Sequence, residues 1–162
     1  MTDNNKWVAC WGNATSITNR REAIYAKDLT LRYPVRMCFS GSMLRFRFSN
    51  LTGTEPVVLS KVYVNHTPIT FDGDTKVTLM PGKEVESDAI NYAVNRGDTI
   101  EVSFYLPDFT QMNSGTLITG PLSKGFYAYG DFAEADELPL DLTRHTNWFY
   151  FLNTTDVLTA AE

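Results

Sequence analysis

The sequence predicts an all-β fold, a two-sheet antiparallel β-sandwich that is jelly-roll-like, with a closed barrel as the alternative. Three observations point there. No segment carries a sustained apolar repeat at helical spacing, short alternating or apolar runs recur from end to end, and those runs are bounded by Gly, Pro, Asn or Asp. About eight to ten such strands need a second layer to bury their apolar faces, which a sandwich supplies. A chain of 162 residues with 43% hydrophobic content is expected to form one domain with a real core.

Trp7 to Trp11 reads as the first strand, followed by a polar stretch from Asn13 to Asn19. Arg20 to Lys27 reads as irregular or at most two helical turns. Tyr33 to Phe39 and Met43 to Ser49 flank Ser40-Gly41-Ser42, and a short Gly-containing connection between β-prone runs is a hairpin signal. In the second arm Leu44, Phe46 and Phe48 alternate with Arg45 and Arg47, so period two sets the apolar side chains on a core face and the guanidinium groups opposite. Val57 to Val64 is the next strand. Ile69-Thr70-Phe71 then meets Asp72-Gly73-Asp74, whose Asp-Gly step favours a tight turn. Val77 and Leu79 precede a turn at Pro81-Gly82.

Asn95-Arg96-Gly97-Asp98 turns into Thr99 to Leu106, where Ile100, Val102, Phe104 and Leu106 alternate with more polar residues until Pro107 stops the strand. Asp108 to Gly125 reads as a long connection with one short strand around Thr116 to Thr119, and long connections in compact domains often carry function. Phe126 to Tyr129 is a short aromatic strand, Ala133 to Asp141 an acidic loop, and Trp148 to Leu152 the final strand.

Fourteen basic against nineteen acidic side chains give a net charge of -5, which argues against electrostatic binding to nucleic acid or to a membrane surface. No run of about 18 apolar residues occurs, and the start lacks a basic and apolar leader, so the expectation is a soluble, cytoplasmic protein. Cys10 and Cys38 are too few for a disulfide scaffold or a four-ligand zinc site and read as two buried free thiols in a reducing compartment. Asn-x-Ser/Thr patterns at Asn13, Asn50, Asn65 and Asn153 then read as chance.

Reactive constellations are not apparent, and no catalytic residue is predicted. The Gly-x-Ser-x-Gly elbow is missing, and His66 and His145 read as exposed loop histidines. Gly120 to Gly125 puts Pro121 where a phosphate cradle needs backbone donors, so no cofactor is expected. Asp72 with Asp74, and Glu134 with Asp136 and Glu137, are oxygen donors of the sort calcium takes. The 12-residue EF-hand pattern is absent, however, and they read as solvated acidic loops with no metal.

The aromatic residues offer more. At period two Trp148 and Tyr150 share one side of their strand, with Phe149 and Phe151 on the other, so at least one pair is core, and the second is either buried as well or available for ring stacking or a partner. Tyr127 and Tyr129, opposite Phe126 and Ala128, pose the same choice. Arg45 and Arg47 are either a solvated face or a rigid pair docked on another domain's carboxylates. These six residues are the candidate ligand or interdomain surface.

Trp7-Val8-Ala9-Cys10-Trp11-Gly12-Asn13-Ala14, Leu29-Thr30-Leu31-Arg32, and Leu44 to Asn50 with Gly53 and Pro56 following resemble the N-terminal domain of GDSL-type (SGNH-hydrolase) esterases. Pro81-Gly82, Ser87-Asp88, Gly97-Asp98-Thr99-Ile100, Val102 to Pro107, and Trp148 to Leu152 followed by Asp156-Val157 continue the likeness in order, from Trp7 to about Leu158. In that family a β-sandwich precedes an α/β/α catalytic domain whose Gly-Asp-Ser block supplies the nucleophile. The near-match here, Tyr129-Gly130-Asp131-Phe132, has Phe in place of the serine and lies inside the sandwich region, so no catalytic residue carries over.

The resemblance implies an accessory β-sandwich over residues 1–157, with 158–162 opening a linker to a catalytic domain that the sequence does not contain. Its partner would be that C-terminal SGNH domain, with the loop from Asp108 to Gly125 as a wall of the neighbouring substrate cleft. The parent protein would hydrolyse carbohydrate or small-molecule esters. An exposed interdomain face would also favour self-association into a homo-oligomer. The alternative is a stand-alone carbohydrate-binding module using exposed Trp or Tyr, and a third reading, an autonomous hydrolase, lacks its constellation.

Overall fold

The computed structural model describes residues 5–12, 16–17, 25–117 and 124–160. Among them the regular structure is all β, in antiparallel sheets, and no helix is long and apolar enough to cross a membrane. In the first sheet the strand Asn5–Gly12 lies beside the last strand, Leu152–Ala160, which pairs in turn with Gly41–Ser49. The far edge of Gly41–Ser49 takes Glu84–Glu86 and Ile90–Val94. The second sheet runs in the order Arg144–Thr146, Gly125–Tyr129, Leu29–Arg36, Thr99–Leu106, Lys61–Val64 and Thr67–Pro68.

From Leu29 to Leu106 the chain alternates between the sheets, and its first and last strands are neighbours, which gives the sandwich its jelly-roll character. Leu44, Phe46 and Phe48 from the first sheet meet Leu31, Tyr33 and Phe104 from the second, all buried. Phe104 sets its ring edge-on to Phe48 at 5.4 Å and to Phe151 at 6.5 Å, the geometry that opposed ring quadrupoles favour.

The hairpin expected across Ser40-Gly41-Ser42 does not form. Leu29–Arg36 belongs to the second sheet and Gly41–Ser49 to the first, so this connection is a corner between layers. Gly41 is required by close approach instead of a turn: a Cβ there would stand 2.3 Å from Val157 Cγ2 and 2.4 Å from the Leu158 carbonyl oxygen. The first arm also begins earlier than Tyr33, at Leu29, because Leu29 to Tyr33 are buried on both faces and lack the alternation that marks a half-exposed strand. Pairing with Gly125–Tyr129 stops at Arg32, and Pro34, which has no N–H to donate, lies past it.

The run from Val57 to Val64 divides at Ser60. Val57–Leu59 pairs with Val77–Leu79, and Lys61–Val64 joins Thr99–Leu106. Trp148 to Leu152 divides likewise at Phe151, whose φ of 65° breaks the strand, so Trp148–Tyr150 pairs with Ser114–Leu117 instead of with the first sheet. The last strand then continues to Ala160, pairing Leu158, Thr159 and Ala160 with Trp7, Lys6 and Asn5, so the sheet takes in residues expected to open a linker.

The expected turns stand. Asp72 and Gly73 both have positive φ between the bridged residues Phe71 and Asp74. Of the long connection, Thr110–Gln111 pairs with Tyr25–Ala26, and the strand expected at Thr116 to Thr119 is seen as Ser114–Leu117, while 118–123 lie outside the described residues. Most of Asn13 to Asn19 and of Arg20 to Lys27 lies outside them too, apart from the short strands Ser16–Ile17 and Tyr25–Ala26.

Candidate functional site

The register of the second sheet sets the floor of an aromatic cleft. Tyr127 pairs with Leu31 and Tyr129 with Leu29, and directly opposed residues share a face, so these four side chains project together from the inner side of the sheet. The opposing wall is the strand Trp148–Tyr150, held by a buried pin. The Tyr33 hydroxyl donates to the Trp148 carbonyl at 2.8 Å and accepts from the Tyr150 N–H at 3.0 Å. Burial pushes the Tyr33 phenol up, so it remains a protonated donor. Gly125 permits this closure, because a Cβ there would lie 2.4 Å from the Tyr33 ring.

Tyr25, Ala26 and Met112 complete the wall, and His145 and Thr146 lie at the rim, enclosing about 250 Å³. Trp148 and Tyr150 lie with rings near-parallel at 6.1 Å, Tyr127 and Tyr129 meet edge to face, and the Tyr25 ring stacks on Phe109 at 4.7 Å. Tyr25 donates its phenol to Glu55, which pushes the phenol up and fixes the ring at the mouth. Tyr129 is 60% exposed and Phe109 70%, so ring surface faces solvent at the opening. Among the described residues the lining has no carboxylate, Lys or Arg, and it suits an uncharged, flat-faced ligand about the size of one ring.

Four of the six sequence-predicted residues, Trp148, Tyr150, Tyr127 and Tyr129, therefore converge in one place. Phe149 and Phe151 are core, stacked on Tyr33 and set edge-on to Phe104 respectively, and Tyr150 is buried with them while Trp148 is half-buried. Sequence reasoning missed Tyr25 and Met112, which reach the cleft through the two-stranded pairing of Tyr25–Ala26 with Thr110–Gln111. No periodicity signals a strand of two residues.

Arg45 and Arg47 lie elsewhere, on the first sheet. Arg45 Nε is 3.1 Å from both Asp156 and Glu86, and its guanidinium caps the Trp7 ring at 4.2 Å; Arg47 approaches Glu86 at 3.7 Å. This chain's own carboxylates answer the two arginines.

A polar pocket on the outer face of the second sheet holds His66, Asp136, Ser103 and Arg32. His66 Nε2 lies 2.9 Å from Asp136, but the Ser103 hydroxyl is buried and accepts from Arg32 Nε at 2.6 Å. A guanidinium in that place cannot take the proton that a serine nucleophile must give up. Arg32 also donates to the carbonyls of Phe132, Ala135 and Asp136, which ties the acidic loop to the sheet, while desolvation lowers its pKa. The Gly130-Asp131-Phe132 segment is a turn: Gly130 has a φ of 118°, and Asp131 pairs with Lys61.

Glu134 is likewise bound by Lys61, and among the described residues no group of three or more His, Cys, Asp or Glu could hold a metal ion. At the other acidic loop it is Asp88 that organises the turn, accepting from Thr70 and from the backbone N–H groups of Asp72 and Gly73. Among the glycosylation-like asparagines, Asn50 and Asn65 are structural. Asn50 is buried and donates to the carbonyls of Glu55 and Leu79, and Asn65 accepts from the Glu101 N–H while donating to Tyr92. Cys10 is buried as expected, but Cys38 is exposed, because it sits on the corner between the sheets and not in a strand.

No protein-family model matches the chain, and no curated protein matches it.

Proposed function

We propose that this chain is a non-catalytic β-sandwich module that binds a sugar ring, or the ring of a small ester, in its aromatic cleft, serving as the accessory domain of an ester hydrolase. The observation that carries this reading is the convergence of Tyr25, Tyr127, Tyr129, Trp148 and Tyr150 around about 250 Å³ of space, with no carboxylate, Lys or Arg lining it among the described residues. Stacking on such rings is how uncharged, weakly hydrophobic faces are held in water. The accessory role rests on the resemblance to the N-terminal domain of GDSL-type esterases. It is supported by Ser103, whose hydroxyl is buried and accepts from Arg32, with no hydrogen bond to His66 among the described residues.

The second reading, a stand-alone carbohydrate-binding module, draws on the same aromatic cleft. Calorimetric titration of the isolated chain with neutral and acetylated oligosaccharides tests both. Saturable binding weakened about tenfold by Tyr129→Ala, the loss of one stacked ring, is the expected result. Absence of binding to the whole panel, or binding indifferent to both Tyr129→Ala and Trp148→Ala, overturns the cleft as a ligand site. Ester turnover abolished by a serine-directed reagent overturns the non-catalytic role.

A further inference from the structure

We propose that Cys10 and Cys38 form a thiol–disulfide redox site that takes a low-molecular-weight disulfide as its oxidant. The two residues are 28 apart in sequence, yet Cys10 Sγ accepts from the Cys38 backbone N–H at 2.7 Å. That contact confines the two Cα atoms to within about 7 Å, the reach a disulfide requires.

Each partner is placed by the fold. Cys10 is the extra residue of a bulge in the first strand, between the pairs Ala9–Asp156 and Trp11–Thr155, and a bulge re-aims its side chain away from the ladder. Cys38 sits on the corner that carries the chain between the sheets. It opens into a groove of about 270 Å³ lined by Arg36, Met37, Arg96 and Gly97.

The pair is asymmetric, as a two-step exchange needs. Cys10 is buried and its thiol is pushed up by burial, whereas Cys38 is exposed and meets an incoming disulfide first. The Cys38 thiolate attacks one sulfur of the small disulfide, the S–S bond breaks, and one small thiol leaves with a proton. The Cys10 thiolate then attacks Cys38 Sγ and expels the second small thiol, also protonated. The protein loses two electrons and two protons to the small disulfide, which becomes two thiols.

The bond would staple the first strand to the corner between the layers, closing a loop whose constraint on the unfolded chain corresponds to a rise in Tm of about 10 °C. The test equilibrates the chain in buffers of graded reduced-to-oxidised glutathione, alkylates the remaining thiols, and reads intact mass and Tm. Expected are a monomer lighter by two hydrogens, no alkylation at either cysteine, and a higher Tm that Cys10→Ser and Cys38→Ser both lack. Glutathione retained on Cys38 as a mixed disulfide, disulfide-linked dimers, or two alkylated thiols at the most oxidising ratio would each overturn the proposal.

Discussion

Replacing Tyr33 by Phe removes one oxygen from the pin that holds the cleft wall. The ring would keep its stack on Phe149 at 4.4 Å and its contact with Phe104 at 5.9 Å, so packing is conserved. Lost are the bond to the Trp148 carbonyl at 2.8 Å and the bond from the Tyr150 N–H at 3.0 Å, both in a fully buried position. At about 1 kcal/mol net for each bond the variant loses about 2 kcal/mol. For a domain of this size that corresponds to a Tm lower by about 4–8 °C. Because burial holds the phenol protonated, the loss is the same in mildly acid and mildly alkaline buffer. Thermal unfolding followed by far-UV circular dichroism reads the shift, and hydrogen exchange at Trp148 to Tyr150 reads the loosened wall. An unchanged Tm with unchanged protection of that strand would refute the role assigned to the hydroxyl.

Gly41→Ala forces a Cβ against the Leu158 carbonyl and should cost about 1–3 kcal/mol, seen as a lower urea midpoint with an unchanged slope. Arg32→Ala strips the buried clamp from the carbonyls of Phe132, Ala135 and Asp136. It should cost about 1–3 kcal/mol, from acceptors left without a donor, and open the acidic loop to limited proteolysis. The Asp88 carboxyl is held below the usual carboxylate range by its bonds from Thr70, Gly73 and Asp72. Its folded-state pKa lies below its unfolded one, so its stabilisation is present above about pH 4 and is lost as pH falls through the folded value. A Tm-against-pH series should therefore fall less steeply on the acid side in Asp88→Asn than in the native chain.

Periodicity was legible where a strand buries one face, and Thr99 to Leu106 and the alternation of Phe46 and Phe48 with Arg45 and Arg47 were read directly. It failed at Leu29 to Tyr33, buried on both sides, and at Glu84 to Glu86, an edge strand with little burial on either. Gly41 misled because a glycine needed for close approach looks, in sequence, the same as one needed for a turn. The site was legible in part for a similar reason. Trp148, Tyr150, Tyr127 and Tyr129 carry period-two signals in their own strands, whereas Tyr25 and Met112 are brought in by the pairing of Tyr25 with Gln111 and Ala26 with Thr110, far apart along the chain. The two arginines were rightly placed on one face, but their partners, Asp156 and Glu86, come from strands paired far along the chain.

The most direct test of the account is where a bound ligand sits. Chemical-shift mapping of the isotopically labelled chain against the tightest-binding oligosaccharide should move the ring resonances of Tyr25, Tyr127, Tyr129, Trp148 and Tyr150 and leave Trp7 and the Arg45 side chain unmoved. Shifts centred on Trp7 and Arg45, with the cleft tyrosines silent, would contradict it.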